Sequence, residues 1–449
     1  MYLTPNSFPS WSSPVREWYE YAMLSPNRLK RNCLISMPEI ATHNHALVLT
    51  KPFLASQTAP VSCLNVDSIV AHHLMAGLLN SSTTLFWLKL VCFNKGAGED
   101  EERDRFVYAG GKVENLPVPD IIVETMKGNR SDLADRLQTL SQACWERGRE
   151  IPAMAMKKLF EKSGEAYHDW NSSLTGYVKP DSRLGKPFKT LDDLKAVFSN
   201  VCKIRDSLRS EMIALQEEMD WIVYEAYGLT QNADCRMPND EVPKPLAREE
   251  RPFVLWQQGG GDFEKAVELI PNGWTKDRKA LWRARLEVIR DNEHIRRIEQ
   301  PVYKRRWDEQ WKVGNSWQCG PVAYDTEFVD AFEWWLSEKA EWWLEKKAGG
   351  PVELEKWSAE IWQDTRVQAA WGVVREVLER LGRCADFSRY FTTLVKEQSV
   401  PDNIPAAVPW EKIKIKIPPA VKRVRGKLNV PRERFHVTPD GQYIWAGVK

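Results

Sequence analysis

The chain has 449 residues, 43% of them hydrophobic and 28% charged, and carries a net charge of +1. These values exclude a disordered polyelectrolyte and leave room for two or three cores, while any nucleic-acid surface has to be a local concentration of Lys and Arg. The 8 Cys are scattered without a CxxC pair, no N-terminal signal peptide is visible and no apolar run reaches membrane-spanning length, so a cytoplasmic chain without a metal site or a membrane partner is expected.

Residues 1–35 read as a leading segment, with Ser13-Pro14 opening a helix over Val15–Leu24. Residues 36–120 read as a small α/β unit. IATHNHALVLT (Ile40–Thr50) and TAPVSCL (Thr58–Leu64) are compact apolar or β-branched runs and predict short strands. GLLNSSTTLFWLKLVCFNKG (Gly77–Gly96), with Leu74, Leu78, Leu85, Leu88 and Val91 near helical spacing, predicts one long buried helix. Its polar patch, Asn80, Ser81, Ser82, Thr83 and Thr84, has to find partners inside the protein or face a nucleic acid, and both readings stand. In His43-Asn44-His45 two histidines share a strand face without a third ligand in view, which favours a polar edge meeting DNA over a metal site. His72 and His73 read as surface or capping residues.

Residues 121–230 read as a helical spacer. Its clearest stripe is Met212, Leu215, Met219, Ile222, Val223 and Ala226, with Gly228 at the C-cap position. Glu217, Glu218 and Asp220 are expected on the solvated face of that helix. Residues 231–250 are polar and proline-punctuated and predict a linker. Gly259-Gly260-Gly261-Asp262 lacks the Lys-Ser/Thr and the spacing of a phosphate loop and predicts a turn capped by Asp262.

Residues 251–399 read as a Trp-rich helical domain containing a basic segment, 276–306. Between Trp274 and Trp307 eleven Lys and Arg face five Asp and Glu, a local excess of six in a chain whose total is +1. The helix Lys279–Arg290 turns Leu281, Leu286 and Ile289 inward and Arg283 and Arg290 elsewhere, and Lys304-Arg305-Arg306 sits between two aromatics, a pattern suited to phosphate contact. Trp335 and Trp342 lie seven apart, as do Leu336 and Trp343, so most indoles are expected to fill a core. The tail, 400–449, is proline-rich, then basic at Lys422, Arg423 and Arg425, with a turn at Asp440-Gly441 between two strand-like runs. The fold class expected is α+β, predominantly helical: a small mixed strand/helix unit followed by helical domains rich in Trp.

Several of these strings resemble one family. The run ATHNH…TAPV…LLNSST…FWLK…NKG, then FVYAGGKVENLPVP (Phe106–Pro119), LQEEMDWIVYEAYGL (Leu215–Leu229), IEQPVYKRRW (Ile298–Trp307) and VPRERF (Val430–Phe435), resembles the non-catalytic half of PglX-type adenine-N6 DNA methyltransferases of BREX-like phage defence and related restriction–modification systems. That resemblance implies target recognition on double-stranded DNA. Candidate contacts are His43, Asn44, His45, Asn80, Ser81, Ser82, Arg283, Arg290, Lys304, Arg305, Arg306, Lys422, Arg423 and Arg425. The catalytic motifs of the family have no counterpart here: the only Pro-Pro, Pro418-Pro419, has Ile417 before it and Ala420 after it, where a polar residue and an aromatic are required. The expectation is a chain that is not catalytic alone, has no cofactor of its own, and works with a separate methyltransferase subunit that binds S-adenosylmethionine. A non-catalytic scaffold of a defence system, without DNA binding, is the alternative.

Overall fold

The computed structural model describes residues 31–50, 59–96, 103–151, 155–160, 188–308, 310–313, 316–401 and 434–445. The leading helix expected over Val15–Leu24 and the basic residues Lys422, Arg423 and Arg425 lie outside the described residues. The fold is predominantly helical with a few small sheets, as composition and periodicity predict. Two units can be separated among the described residues: 31–151 with 205–307, and 155–160 with 188–204 and 308–445.

The first unit opens with strands β1 (Leu34–Ser36), β2 (Ile40–Ala41), β3 (Leu47–Leu49) and β4 (Val61–Ser62). β1 pairs antiparallel with β3 and β4, giving the order β3-β1-β4. The single long helix expected over 77–96 is broken: α1 (Ile69–Leu79) and α2 (Ser82–Val91) are bent by 66°. The physical cause is local. Ser81 is a helix N-cap whose hydroxyl accepts from the Thr84 N–H, so the short polar patch ends one helix and starts another. Strands β5 (Phe93–Gly96) and β6 (Arg105–Val107) complete a second antiparallel sheet in the order β2-β6-β5. No single helix among the described residues is long and apolar enough to cross a membrane.

α3 (Asp132–Glu150) packs on α1, and the long helix α4 (Leu191–Ala226) follows. Its C-terminal part lies in the first unit, where every residue from Ile213 to Tyr224 is buried. Leu215, Met219, Ile222 and Val223 face one core with Leu78, Leu85 and Leu137. Ile213, Ala214, Trp221 and Tyr224 face another with Leu286 and Ile289 of α5 (Lys276–Asp291). Gly228 follows the helix at φ 69°, where the sequence places a C-cap. The stretch 231–250, expected as a linker, is fastened to this unit: Cys235 and Leu246 are buried, and the Arg136 guanidinium donates to the carbonyls of Asn239 (2.9 Å) and Glu241. Asp262 caps the helix Phe263–Glu268, and Gly259 lies so near that helix that a Cβ would stand 2.8 Å from the Ala266 nitrogen.

In the second unit β7 (Gln310–Val313) and β8 (Ser316–Cys319) form a hairpin. Helices α6 (Pro321–Lys346), α7 (Leu354–Trp362), α8 (Thr365–Arg380) and α9 (Phe387–Glu397) surround an aromatic core. Trp335, Trp357 and Trp371 are buried, as the core-filling expectation requires, while Trp342 faces solvent. The Trp357 indole is wholly buried and meets Phe391 and Phe435 edge-on, at centroid distances of 5.2 and 4.9 Å. Phe435 comes from β10 (Phe435–Val437), which pairs parallel with β9 (Ser399–Pro401) and antiparallel with β11 (Tyr443–Trp445) across the turn at Gly441. Trp357→Ala is therefore expected to destabilise this unit by about 3–5 kcal/mol, the usual cost of emptying a buried aromatic site. Denaturant titration followed by near-ultraviolet circular dichroism reads that loss.

Candidate nucleic-acid interface

The residues singled out for DNA contact in the first unit are drawn together, but mostly by their interior ends. Lys304 is the centre. Its ammonium, 2% exposed, lies 2.7 Å from Glu299 Oε1, 2.9 Å from Asp220 Oδ2 and 3.8 Å from Glu217 Oε1. Asp220 is fixed from its other side by Ser82, whose backbone N–H donates at 2.8 Å and whose hydroxyl donates at 2.6 Å. Trp221 Nε1–H donates to Glu217 at 3.2 Å, and the Tyr224 hydroxyl donates to Glu299. Beside Glu217 in the helix, Glu218 accepts from the buried Arg285 guanidinium and, at 2.8 Å, from the Met237 N–H.

This overturns the solvated-face expectation for Glu217, Glu218 and Asp220. A carboxylate can be buried only where cations and donors replace its water. Lys304, Arg285 and Ser82 do so here, from positions 67 to 138 residues away in the chain. Burial opposes the Lys304 charge, yet Asp220, Glu217 and Glu299 outweigh it and hold the amine well above its ordinary range. Burial raises the Glu299 carboxyl against the opposing pull of Lys304. Burial pushes the neighbouring Arg251 down to about 10. A cavity of about 10 Å³ lies among Ser82, Gln216, Asp220, Lys304 and Trp307, room for one water at most.

The other candidates divide in the same way. Asn44 is buried and donates to the carbonyls of Leu79 (2.6 Å) and Ser81 (2.9 Å), satisfying backbone where the two helices meet. Asn80 makes a reciprocal pair with Ala46, 2.8 and 2.9 Å. Ser81 is the cap already described, Ser82 is held by Asp220 and the Thr84 hydroxyl donates to the Leu78 carbonyl at 2.7 Å, so these side chains are engaged inside the protein. His43 is buried with Nε2 2.9 Å from the Lys304 carbonyl and Nδ1 3.0 Å from the Thr42 hydroxyl, whereas His45 is exposed. The stretch that carries both, 42–46, lies between β2 and β3 and is not a strand. Among the described residues no group of three or more His, Cys, Asp or Glu could hold a metal. Arg305 is half-buried and donates to the Asn44 carbonyl at 2.8 Å; Arg306 is half-buried too. Arg283 and Arg290 reach solvent on α5, beside Glu287 (3.2 Å) and Asp291 (2.7 Å), and both lie within 5.0 Å of the Phe263 ring centroid. His72 and His73, expected near the surface, are buried in α1; His73 packs edge-on against Trp145 at 5.2 Å.

Of the proposed phosphate contacts, Lys304 is thus an internal ion, and the outward-facing cations are Arg283 and Arg290, with Lys276 exposed at the start of the same helix. Arg285 and Lys304 contribute to the basic count of the sequence but not to the surface.

Among known proteins, adenine-specific methyltransferase PglX of Streptomyces coelicolor is 28% identical over 499 aligned residues, a match covering 96% of this chain. The chain is homologous to part of that protein. It spans 37% of the relative's length. Residues 212–408 match a family model described as a domain of unknown function, DUF7008, which begins in α4 just before the buried acidic residues. No solved structure matches the chain.

Lys304→Ala leaves buried carboxylates without their cation and is expected to cost about 3–5 kcal/mol, far more than neutralising the exposed Arg283; urea unfolding of the two variants provides the comparison. The acid limb of stability should carry the signature of His43. Burial first, then Lys89 and Arg305, lower its pKa from 6.5 to about 3, so the folded state holds the ring neutral while the unfolded chain protonates it. Its contribution is complete above about 6.5 and declines as pH falls, by about 1.4 kcal/mol per unit for one such group. His43→Gln should flatten the slope between pH 6 and pH 4, as measured by unfolding at a series of pH values, by roughly one proton.

Proposed function

We propose that this chain is the DNA target-recognition part of a PglX-type adenine-specific methyltransferase of phage defence, working in the cytoplasm with a separate catalytic chain. The observation that carries this reading is the shape of the homology: nearly the whole chain aligns, yet with 37% of a relative named as a methyltransferase. These 449 residues offer no adenine-holding Pro-Pro-aromatic loop, and in this reading methyl transfer and S-adenosylmethionine are assigned to the catalytic part of the methyltransferase. In this reading Arg283, Arg290 and Lys276 meet phosphates, while the Lys304 cluster fixes the segment that carries Arg305 and Arg306.

A second reading, a defence-system scaffold that does not bind DNA, draws on the charge pairing. Among the cations of 274–307, Arg283, Arg290, Arg297 and Lys304 pair with Glu287, Asp291, Glu293 and Glu299 of the same stretch, and Arg285 and Lys304 also neutralise Glu218 and Asp220 of α4. Exposed pairs are worth little and open readily to a phosphate, so they do not cancel the basic face.

Fluorescence anisotropy on short duplex DNA across a salt series separates the two. The recognition reading predicts affinity that falls steeply with salt, with a log–log slope shallower by roughly 0.9 for each phosphate that an Arg283→Ala/Arg290→Ala variant no longer neutralises. Binding that is undetectable at low salt favours the scaffold, whereas salt-dependent binding whose slope the double variant leaves unchanged keeps the recognition reading and removes Arg283 and Arg290 as its phosphate contacts.

A further inference from the structure

The outer face of the β2-β6-β5 sheet carries an apolar row with cations around it. Ile40 and Phe93 are both register partners of Val107, and partners in antiparallel strands share a face. The alternate row, Ala41, Phe106 and Asn94, turns Phe106 into the core, so the Ile40–Val107–Phe93 row points outward. Phe93 is 70% exposed, Ile40 39%, and Leu90, three residues before Phe93 at the end of α2, is 66% exposed. An aromatic ring offered to water in this way, at the edge of an apolar row, marks a contact surface.

The surroundings indicate what it contacts. A bulge between Asn94 and Gly96 leaves Lys95 as the extra, exposed residue of β5. Arg105, opposite Gly96 and two residues from Val107, is exposed on the outer face. The carboxylate of Asp104 is engaged by Asn94 at 2.8 Å. The acidic run Glu99-Asp100-Glu101-Glu102 follows β5 in the sequence and lies outside the described residues.

We propose that this face stacks on an unpaired DNA base, with Phe93 as the stacking ring and Lys95 and Arg105 on the flanking phosphates. The inference rests on the DNA-recognition reading and deepens it. An enzyme that modifies a base in duplex DNA takes that base, or its neighbourhood, out of the stack. A ring with cations about it is the arrangement that holds an unstacked nucleotide without reading its identity.

The test compares two probes, a fully paired duplex and the same duplex with one bulged adenine, binding to the full chain and to Phe93→Ala. Phe93 is mostly in solvent, so its removal leaves the core intact; Phe93→Trp serves as the conservative control. The expected result is about tenfold or more tighter binding to the bulged probe by the unaltered chain. Phe93→Ala should abolish that preference with the paired affinity unchanged, and Phe93→Trp should retain it. Salt-dependent binding to both probes with no preference, or a preference that survives Phe93→Ala, overturns the stacking role and leaves the recognition reading standing. Absence of binding to either probe overturns both.

Discussion

A lysine ammonium sealed among carboxylates is the constraint on which the first unit depends. Lys304 holds Asp220 and Glu299 at hydrogen-bonding distance with Glu217 just beyond. Its own carbonyl accepts from His43, and the carbonyl of the next residue accepts from Arg251 at 2.6 Å. Through Asp220 the same cluster seizes Ser82 at the start of α2. The N-terminal strands, the bent helix pair, the end of α4 and the segment after α5 are thus tied to one point. Buried ion clusters add little net stability compared with an apolar core, but they tolerate the loss of no member. Their effect is to specify one arrangement, since each partner is useless to the others in any other register.

That constraint changes how the basic stretch is understood. A run with six excess positive charges invites the picture of a cationic helix laid on DNA. Instead, Arg285 and Lys304 neutralise buried carboxylates of α4, and the surface retains Arg283 and Arg290 on Phe263. The basic residues serve first to build the scaffold and only then to present charge.

What the sequence reveals and what it hides follow from the range of the interactions. Periodicity exposes the helices, the inward Leu286 and Ile289, the C-cap at Gly228 and the hairpin turn at Gly441, because each is decided within a few residues. Tryptophan spacing exposes the aromatic core for the same reason, with Trp342 as the exception that faces water. The burial of Glu217, Glu218 and Asp220 is hidden because their partners stand 67 to 138 residues away. A signal does exist: apolar residues flank these acids on both sides of the helix, leaving no wide polar face. The break between α1 and α2 is also open to reading, since Ser81 followed by Ser82-Thr83-Thr84 is a cap signal inside an apolar pattern. Asn44 and Asn80 show the converse. Short amides suit base edges and backbone carbonyls alike, and only the fold shows that theirs are engaged by Leu79, Ser81 and Ala46.

The proposed function divides the labour, with DNA held by this part and the methyl donor by the catalytic part. Calorimetric titration of the full chain, first with duplex DNA at low salt and then with S-adenosylmethionine, tests it most directly. The account predicts saturable heat with DNA and none with the methyl donor. Saturable binding of S-adenosylmethionine, or a chain silent to DNA, would contradict it.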